Sequence, residues 1–342
     1  MTVAASFRSG LQGAMADPFR ERERLRFRVH KHVLGARFLF ESDDAALLYP
    51  VEAAYDGLPR HRLPLPAREF NVQLRLVPHR AATRLPEPPP VRTQSGAGLL
   101  CGVMDECNYV VVAPAQHRAL VVASEDMLER PYHLRYELIE FAVFTLAARA
   151  QGLVPLHGAC IGRNGCGILL LGASGSGKST LALLAVLRGL DLLSEDAVFV
   201  QPERLLATGV ANYLHVQAEA LQFTDDDDTR RWINRAPVIR RRSGATKFEV
   251  DPRRGPASLA ETPLELAAAV FLRDETVADS AALLTPVAAA DIGERLRAGQ
   301  PYAATQPGWD RFAAGMAQRG AFELRRGRHP HASIDALLPL LG

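Results

Sequence analysis

The chain has 342 residues, of which 48% are hydrophobic and 23% charged, and its formal net charge is +2. This length allows one large or two modest domains, and the composition is that of an ordinary globular protein. So small a net charge argues against a nucleic-acid partner, and no apolar run reaches the roughly 18 residues needed to cross a bilayer. We therefore expect no nucleic-acid and no membrane partner, and a homo-oligomer stays open.

The N-terminus and the cysteines bear on the cellular compartment. Residues 1–16 are small and polar, without the apolar stretch of a signal peptide. The spacing of the four cysteines, Cys101, Cys107, Cys160 and Cys166, fits neither a zinc knuckle nor a redox pair. Scattered thiols suit a reducing cytosol, so we expect a cytoplasmic protein with buried structural thiols.

The first third of the chain predicts β-strands. Apolar residues alternate over residues 25–29 and 70–77. Residues 109–123 predict a hairpin, and the proline-rich residues 85–96 predict a loop. We predict a smaller β-rich domain over residues 1–125.

Residues 126–151 change to helical spacing. Leu134, Leu138 and Phe141 fall on one face and Glu137 on the other. We predict a long amphipathic helix that bridges the first domain and a second domain over residues 152–342. Charges interrupt its apolar face, which argues against a membrane role.

The second domain begins with the most informative stretch of the chain. Residues 154–161 predict a strand, and a turn at 163–165 leads into a second apolar strand. A glycine-rich loop and a helix follow. The loop consists of Gly172, Ala173, Ser174, Gly175, Ser176, Gly177, Lys178 and Ser179, and the helical pattern begins at Thr180.

Strand, glycine-rich loop and helix in this order are the setting of a phosphate-binding loop. Backbone N–H groups and the positive end of the helix surround the anion. Lys178 would reach the β- and γ-phosphates, and the Ser179 hydroxyl would hold Mg²⁺. Only three of the 40 basic residues are lysines, and one of them stands here. The alternative is a Gly/Ser-rich turn without a ligand.

Two acids follow the loop at short distance. Glu195 and Asp196 interrupt an apolar strand over residues 192–200. Buried carboxylates need a partner, and a metal or a role as proton acceptor would supply one. The alternative is a turn at a strand end with solvated acids.

The remaining charged tracts are less specific. The aspartates at 225–228 predict a solvated loop rather than a Mg²⁺ site. Residues 230–254 are strongly basic and are either a solvated surface or a loop that closes over phosphates. Lys247 favours the second interpretation because lysine is so scarce in this chain. Residues 264–341 predict two strands and three helices.

The segment formed by His157-Gly158, the loop 172–179 and the pair Glu195-Asp196 resembles the kinase domain of the HPr kinase/phosphorylase family and related bacterial serine kinases. The resemblance implies an α/β fold with a P-loop kinase core of the HPr kinase/PEP carboxykinase type, and the use of ATP and Mg²⁺. It also implies site roles. Lys178 would contact the phosphates, Glu195 would act as base toward the acceptor hydroxyl, and Ser179 and Asp196 would serve the metal. His157 would support the phosphates or the acids, and Lys247 and Arg242 would belong to a basic substrate-side loop.

The function that the resemblance implies is transfer of the γ-phosphate of ATP to a serine of a peptide or small protein. Some relatives modify ribosomally made peptides such as lasso peptide precursors. A kinase for a small metabolite and a nucleotide-binding regulator without transfer activity are the alternatives.

Overall fold

The computed structural model describes residues 25–78, 87–224, 226–277 and 283–342. These residues form a mixed α/β fold with three β-sheets, in agreement with the predicted α/β class. None of the helices within these ranges combines the length and the hydropathy that a bilayer-spanning segment needs. The polar segment 1–16 and Asp225 of the acidic run lie outside the described residues.

The first sheet comes from the β-rich part of the sequence. Its strands are β1 (Phe27–Val33), β2 (Ala36–Ser42), β3 (Glu69–Val77), β4 (Arg92–Gly96), β5 (Leu99–Val103), β6 (Tyr109–Ala113) and β7 (Arg118–Ser124). Their order is β1-β2-β3-β7-β6-β5-β4. In β3, Phe70, Val72 and Leu74 are buried on one face, as the alternation predicts. The predicted hairpin is confirmed as β6 and β7.

The prediction of a loop over residues 85–96 was wrong at its end. Residues 92–96 form β4, which pairs with β5 through a tight turn at Ala97 and Gly98, both with positive φ. All five residues of β4 are exposed. The strand therefore has no buried face, and no alternation marks it in the sequence.

The predicted bridging helix starts later than residue 126 and is not uniform. A 3-10 helix (Glu125–Glu129) precedes α2 (Pro131–His133), a π-helical segment (Leu134–Ile139) and α3 (Glu140–Gln151). Pro131 takes the first helical position, where its missing N–H costs no hydrogen bond. π-Helical segments are rare and recur at functional sites.

The second and third sheets and the remaining helices make up the rest of the described chain. The second sheet contains β8 (Val154–His157), β9 (Ala159–Arg163), β10 (Cys166–Leu171), β11 (Asp191–Ser194), β12 (Ala197–Gln201), β13 (Leu206–Gly209), β17 (Ser258–Leu259), β18 (Leu264–Thr276), β19 (Leu284–Pro286) and β20 (Ala321–Arg326). The third contains β14 (Leu214–Val216), β15 (Val238–Arg240) and β16 (Thr246–Val250). The other α-helices are α1 (Tyr49–Tyr55), α4 (Lys178–Leu187), α5 (Asp227–Asn234), α6 (Ala289–Gly299), α7 (Trp309–Arg319) and α8 (Pro330–Leu337).

Strand β10 runs through the middle of the second sheet and carries the chain to the loop. It pairs with β9 on one side and, in parallel, with β18 on the other. Ile168 and Leu170 pack in one core with α4 and α8, while Leu169 and Leu171 pack in another with α6 and α7. Because both faces are covered, the strand is a continuous apolar run.

The predicted single strand over residues 154–161 was wrong, because it is two strands in different places. β8 pairs with β12, whereas β9 pairs with β10 and β11. The break falls at Gly158, where a Cβ atom would lie 2.6 Å from the backbone oxygen of Leu170. Glycine permits this close crossing and leaves His157 at the end of β8.

Two smaller predictions were also wrong in part. The acidic run is not simply a solvated loop, because the Asp226 carboxylate accepts hydrogen bonds from the N–H groups of Asp228 and Thr229 and caps α5. All four cysteines are free, but only Cys160 is buried. The predicted strands and helices between residues 264 and 341 are confirmed as β18, α6, α7, β20 and α8.

Candidate active site

The predicted glycine-rich loop joins the end of β10 to the start of α4. Gly175 and Gly177 have φ angles of 85° and 96°, which favour glycine. No side chain of the described residues caps α4, so its first N–H groups are left for another acceptor. The Ser176 hydroxyl is buried and likewise has no hydrogen-bond partner within the described ranges. The loop therefore offers several donors to an anion.

Lys178 folds back over the loop from the first position of α4. Its Nζ donates to the carbonyl oxygens of Gly172, at 2.7 Å, and Ala173, at 2.9 Å. Burial lowers the pKa of Lys178, the acids at 195–196 oppose that effect, and the charge of Lys247 adds to it. Lys178 thus lies within electrostatic reach of the two acids and of Lys247.

Glu195 lies at the end of β11 and faces the loop. The Ser179 hydroxyl donates a hydrogen bond to one oxygen of its carboxylate. The other oxygen lies 3.0 Å from Nδ1 of His215, and Glu195 is only 5% exposed. Two residues that were predicted separately are therefore in direct contact.

Asp196 is more open, with 22% of its side chain exposed. The Tyr136 hydroxyl donates to Oδ2 at 2.6 Å, Nη2 of Arg241 lies 3.3 Å from Oδ2, and Nδ1 of His157 lies 3.3 Å from Oδ1. The N–H of Gly158 donates to the backbone oxygen of Asp196 at 3.0 Å. Burial alone would raise the pKa of Asp196, but the charges of Arg241 and His157 outweigh it and lower the pKa to about 2. The acid is therefore ionised, and the predicted His-Gly pair lies against it.

Three residues that the sequence did not single out complete the site: Tyr136, His215 and Arg241. A histidine within the apolar strand β14 is the only local signal for His215. Arg242, predicted on the substrate side, instead donates to both carboxylate oxygens of Glu137, at 2.7 and 2.6 Å, and to the carbonyl oxygen of Pro89 at 3.0 Å. Its neighbour Arg241 is the arginine that faces the acids.

A buried chain of charges connects Glu195 to the π-helical segment. Nε2 of His215 lies 3.5 Å from a carboxylate oxygen of Glu249, and Arg135 donates to both Glu249 and Glu140. Burial lowers the pKa of His215, but its contacts with Glu195 and Glu249 outweigh that effect and raise the pKa to about 9. The imidazole is therefore charged at neutral pH and orients Glu195 toward the loop.

Two cavities meet this site from different directions. One of about 260 Å³ lies against the loop and is bordered by the apolar side chains of Phe223, Leu272 and Leu324. The other, of about 470 Å³, has Glu195 and Asp196 in its wall and no residue of the loop. The contact between Ser179 and Glu195 is where loop and larger cavity adjoin.

The oxygen donors suit a Mg²⁺ ion that arrives with a nucleotide. The described ranges contain no group of three or more His, Cys, Asp or Glu side chains that could hold a metal by themselves. Mg²⁺, however, is commonly bound through one or two carboxylates together with substrate phosphates and waters. The Ser179 hydroxyl and the adjoining Glu195 carboxylate match that requirement.

Comparison with known proteins gives distant structural similarity only. No family model and no curated protein matches the chain. Among solved structures, the chain is similar to the Hpr(Ser) kinase/phosphatase from Coxiella burnetii, with 14% sequence identity and a TM-score of 0.25. The alignment covers 55% of this chain and 87% of that chain.

Proposed function

We propose that the protein is an ATP-dependent kinase that transfers the γ-phosphate to a serine hydroxyl of a peptide or small protein. The contact between Ser179 and Glu195 carries the proposal, because it joins a loop suited to phosphates to a pair of carboxylates. Catalysis of phosphoryl transfer needs little more than such positioning and the neutralisation of charge.

ATP would bind as a substrate with its phosphates on the loop. The N–H groups at the start of α4 and the Ser176 hydroxyl would donate to phosphate oxygens. Lys178 would exchange two carbonyl oxygens for the phosphates, which are stronger acceptors for its charge. The 260 Å³ cavity against the loop would hold the nucleoside between Phe223, Leu272 and Leu324.

The contacts favour roles for Glu195 and Asp196 that are the reverse of those implied by the family resemblance. Glu195 is buried and occupied by Ser179, so it would orient the hydroxyl that holds Mg²⁺. Asp196 is more exposed and lines the larger cavity, so it would accept the proton of the acceptor hydroxyl. Movement of Arg241 from Asp196 toward the phosphates would raise the pKa of that acid and make it a better base.

The transfer step balances with these residues. The serine oxygen forms a bond to the γ-phosphorus while the bond between that phosphorus and the bridging oxygen of ADP breaks. The hydroxyl proton passes to Asp196, and the products are phosphoserine and ADP. Lys178, Lys247 and Arg241 would offset the negative charge of the reacting phosphate, and bound Mg²⁺ would supply further neutralisation.

A small hydroxyl metabolite is the second candidate acceptor. A cavity of about 470 Å³ is in the range of small-molecule sites, which supports it. A regulator that binds ATP but transfers no phosphate is the third candidate. The low pKa of Asp196 favours it, because a carboxylate with a low pKa is a weak base.

The test is incubation with γ-labelled ATP, Mg²⁺ and lysate of the native host, followed by mass spectrometry of the labelled species. We expect wild-type protein to label an acceptor on serine and Lys178→Ala to label none. Arg188→Ala, at the exposed C-terminal end of α4, is the matched control and should retain labelling. Full labelling by Lys178→Ala would contradict the proposal, a labelled metabolite would favour the second candidate, and ATP binding without any label would favour a regulator.

A further inference from the structure

The wall of the larger cavity is partly charged and partly apolar. Its acidic and basic side chains are those of Arg135, Glu137, Glu140, His157, Glu195, Asp196 and His215. The apolar wall is formed by Val91, Phe141, Phe144, Pro155, Leu156 and Phe199. The rings of Phe144 and Phe199 are 5.1 Å apart between centroids, so part of this wall is a packed aromatic surface.

The apolar part of the cavity wall disfavours an acceptor that is polar throughout. A charged or strongly hydrated group placed among these side chains would lose water without gaining a partner. An apolar group would fill the same space favourably and exclude water from the acids. Tyr302, which lines the cavity and is 57% exposed, extends the aromatic surface toward solvent.

The strand next to the cavity indicates what kind of molecule carries that apolar group. Thr93 of β4 and the preceding Val91 line the cavity. β4 is the last strand of its sheet, and its outer edge pairs with no strand of the described residues. An open strand edge is a template on which an extended peptide adds as another strand. Arg242 holds the residues that lead into β4 by donating a hydrogen bond to the carbonyl oxygen of Pro89.

We propose that the acceptor is an extended peptide segment that lies along β4, with a bulky apolar side chain in the cavity and its serine at Asp196. In an extended peptide, residues two positions apart point to the same side. The apolar residue is therefore two positions from the serine. This inference rests on the proposed kinase function and narrows its acceptor.

The test uses peptides with one central serine and γ-labelled ATP, with ATP binding measured separately by calorimetry. The peptides carry Leu, Phe, Trp, Ser or Asp at one, two or three positions from the serine. We expect Leu or Phe two positions away to raise kcat/KM at least tenfold over Asp at that position. Thr145→Trp, which fills the cavity from α3, should abolish that preference while ATP binding stays unchanged.

Two further variants guard against a trivial result. Arg149→Trp, on the exposed side of α3, is the matched control and should keep the preference. Phe144→Ala enlarges the cavity, so it should shift the preference toward Trp, and this gain is not explained by misfolding.

The outcomes separate this inference from the proposed function. ATP binding with peptide labelling that shows no preference at the second position, or the same preference in Thr145→Trp, would overturn the inference alone. ATP binding with labelled small metabolites but no labelled peptide would overturn it too and leave a kinase. Failure of the wild-type protein to bind ATP would overturn the proposed function, and the inference with it.

Discussion

Asp196 and Glu195 are neighbours in the chain, but their surroundings give them different tasks. Glu195 contacts Ser179 and His215, whereas Asp196 lines the larger cavity beside His157 and Arg241. We predict that Asp196→Asn lowers the rate of transfer by about 100-fold or more, as expected for loss of a general base, while ATP affinity changes little.

The companion variant makes this prediction specific. Glu195→Gln keeps the size of the side chain and should instead weaken Mg²⁺-dependent ATP binding, measured by calorimetry with and without Mg²⁺. If Glu195→Gln removed the transfer step alone and Asp196→Asn removed metal-dependent binding, the roles implied by the family resemblance would be the correct ones.

His215 predicts a pH dependence of stability. Its pKa of about 9 lies above the ordinary value of 6.5, because its contacts with Glu195 and Glu249 favour the charged form. The charged form stabilises the fold fully below pH 6.5, and this stabilisation is lost as the pH rises through 9. We expect the free energy of unfolding to fall by about 3 kcal/mol across that range, from denaturant titrations at several pH values.

The control for this prediction is His215→Gln, which cannot titrate. Its unfolding free energy should be lower at pH 6 and should lack the decline between pH 6.5 and 9. Arg241 and Arg135 also face this cluster, but arginine does not titrate in this range. An unchanged decline in His215→Gln would assign the pH dependence to another group.

Among the site residues, the sequence predicted those of local motifs and missed those that the fold brings in from distant segments. The loop and the acids are recognisable because their chemistry is encoded in consecutive positions. Tyr136, His215 and Arg241 come from a π-helical segment, a short strand and a turn, and only the packing of the chain brings them together. Among three consecutive arginines, the pattern could not tell that Arg241 and not Arg242 faces the acids.

Among the secondary-structure elements, β8 has its C-terminal end held by a single side chain, that of Gln300. β8 is the last strand of its sheet, and the amide of Gln300 replaces a further strand. Its Oε1 accepts from the N–H of His157 and its Nε2 donates to the carbonyl oxygen of His157, both at 2.8 Å. Gln300 is buried, so the two bonds fix the position of His157 beside Asp196.

We predict that Gln300→Ala lowers the free energy of unfolding by about 1–3 kcal/mol, because it removes two hydrogen bonds that hold the end of β8. The measurement is chemical denaturation, with Gln318→Ala on the exposed face of α7 as the control. Equal stability of the two variants would show that the Gln300 amide is not needed to hold β8.

Element positions were predicted where burial marks the sequence, by alternation in β3 and by continuous apolar runs in β10 and β18. The prediction failed where a single residue redirects the chain or where no face is buried. Gly158 divides one apolar run into β8 and β9, and β4 is exposed throughout. Parallel pairing of β2 with β3 and of β3 with β7 also leaves no local mark, because it joins distant segments.

In the molecule as a whole, the first sheet and the second sheet contribute to one hydrophobic core. Phe199 of β12 belongs to the same buried cluster as Phe38 and Phe40 of β2. Arg253 also reaches across, with Nη2 donating to the carbonyl oxygen of Ala53 at 2.8 Å. The predicted boundaries at residues 125 and 151 stay a prediction, but these contacts cross them.

Arg135 is a buried charge that joins the π-helical segment to the third sheet, and we expect it to have a large effect on stability. Its guanidinium is paired with Glu140 and Glu249 and lies over the ring of Tyr213 at 4.3 Å. Arg135→Ala would remove the guanidinium from two buried carboxylates and leave Glu249 with His215 alone, so we expect a loss of about 3–5 kcal/mol of unfolding free energy. Arg149→Ala on α3, which is exposed, should change it little. A loss of unfolding free energy as small as that of the control would show that Arg135 is not needed to hold the π-helical segment to the third sheet.

We propose that the terminal phosphate of a nucleotide lies on the glycine-rich loop and faces Asp196. The most direct measurement is a crystal structure of the protein with Mg²⁺ and a non-hydrolysable ATP analogue. We predict that the terminal phosphate contacts Lys178 and the first N–H groups of α4, with its outer face toward Asp196 and the apolar cavity. A nucleotide bound away from the loop, or with its terminal phosphate turned away from Asp196, would contradict the account.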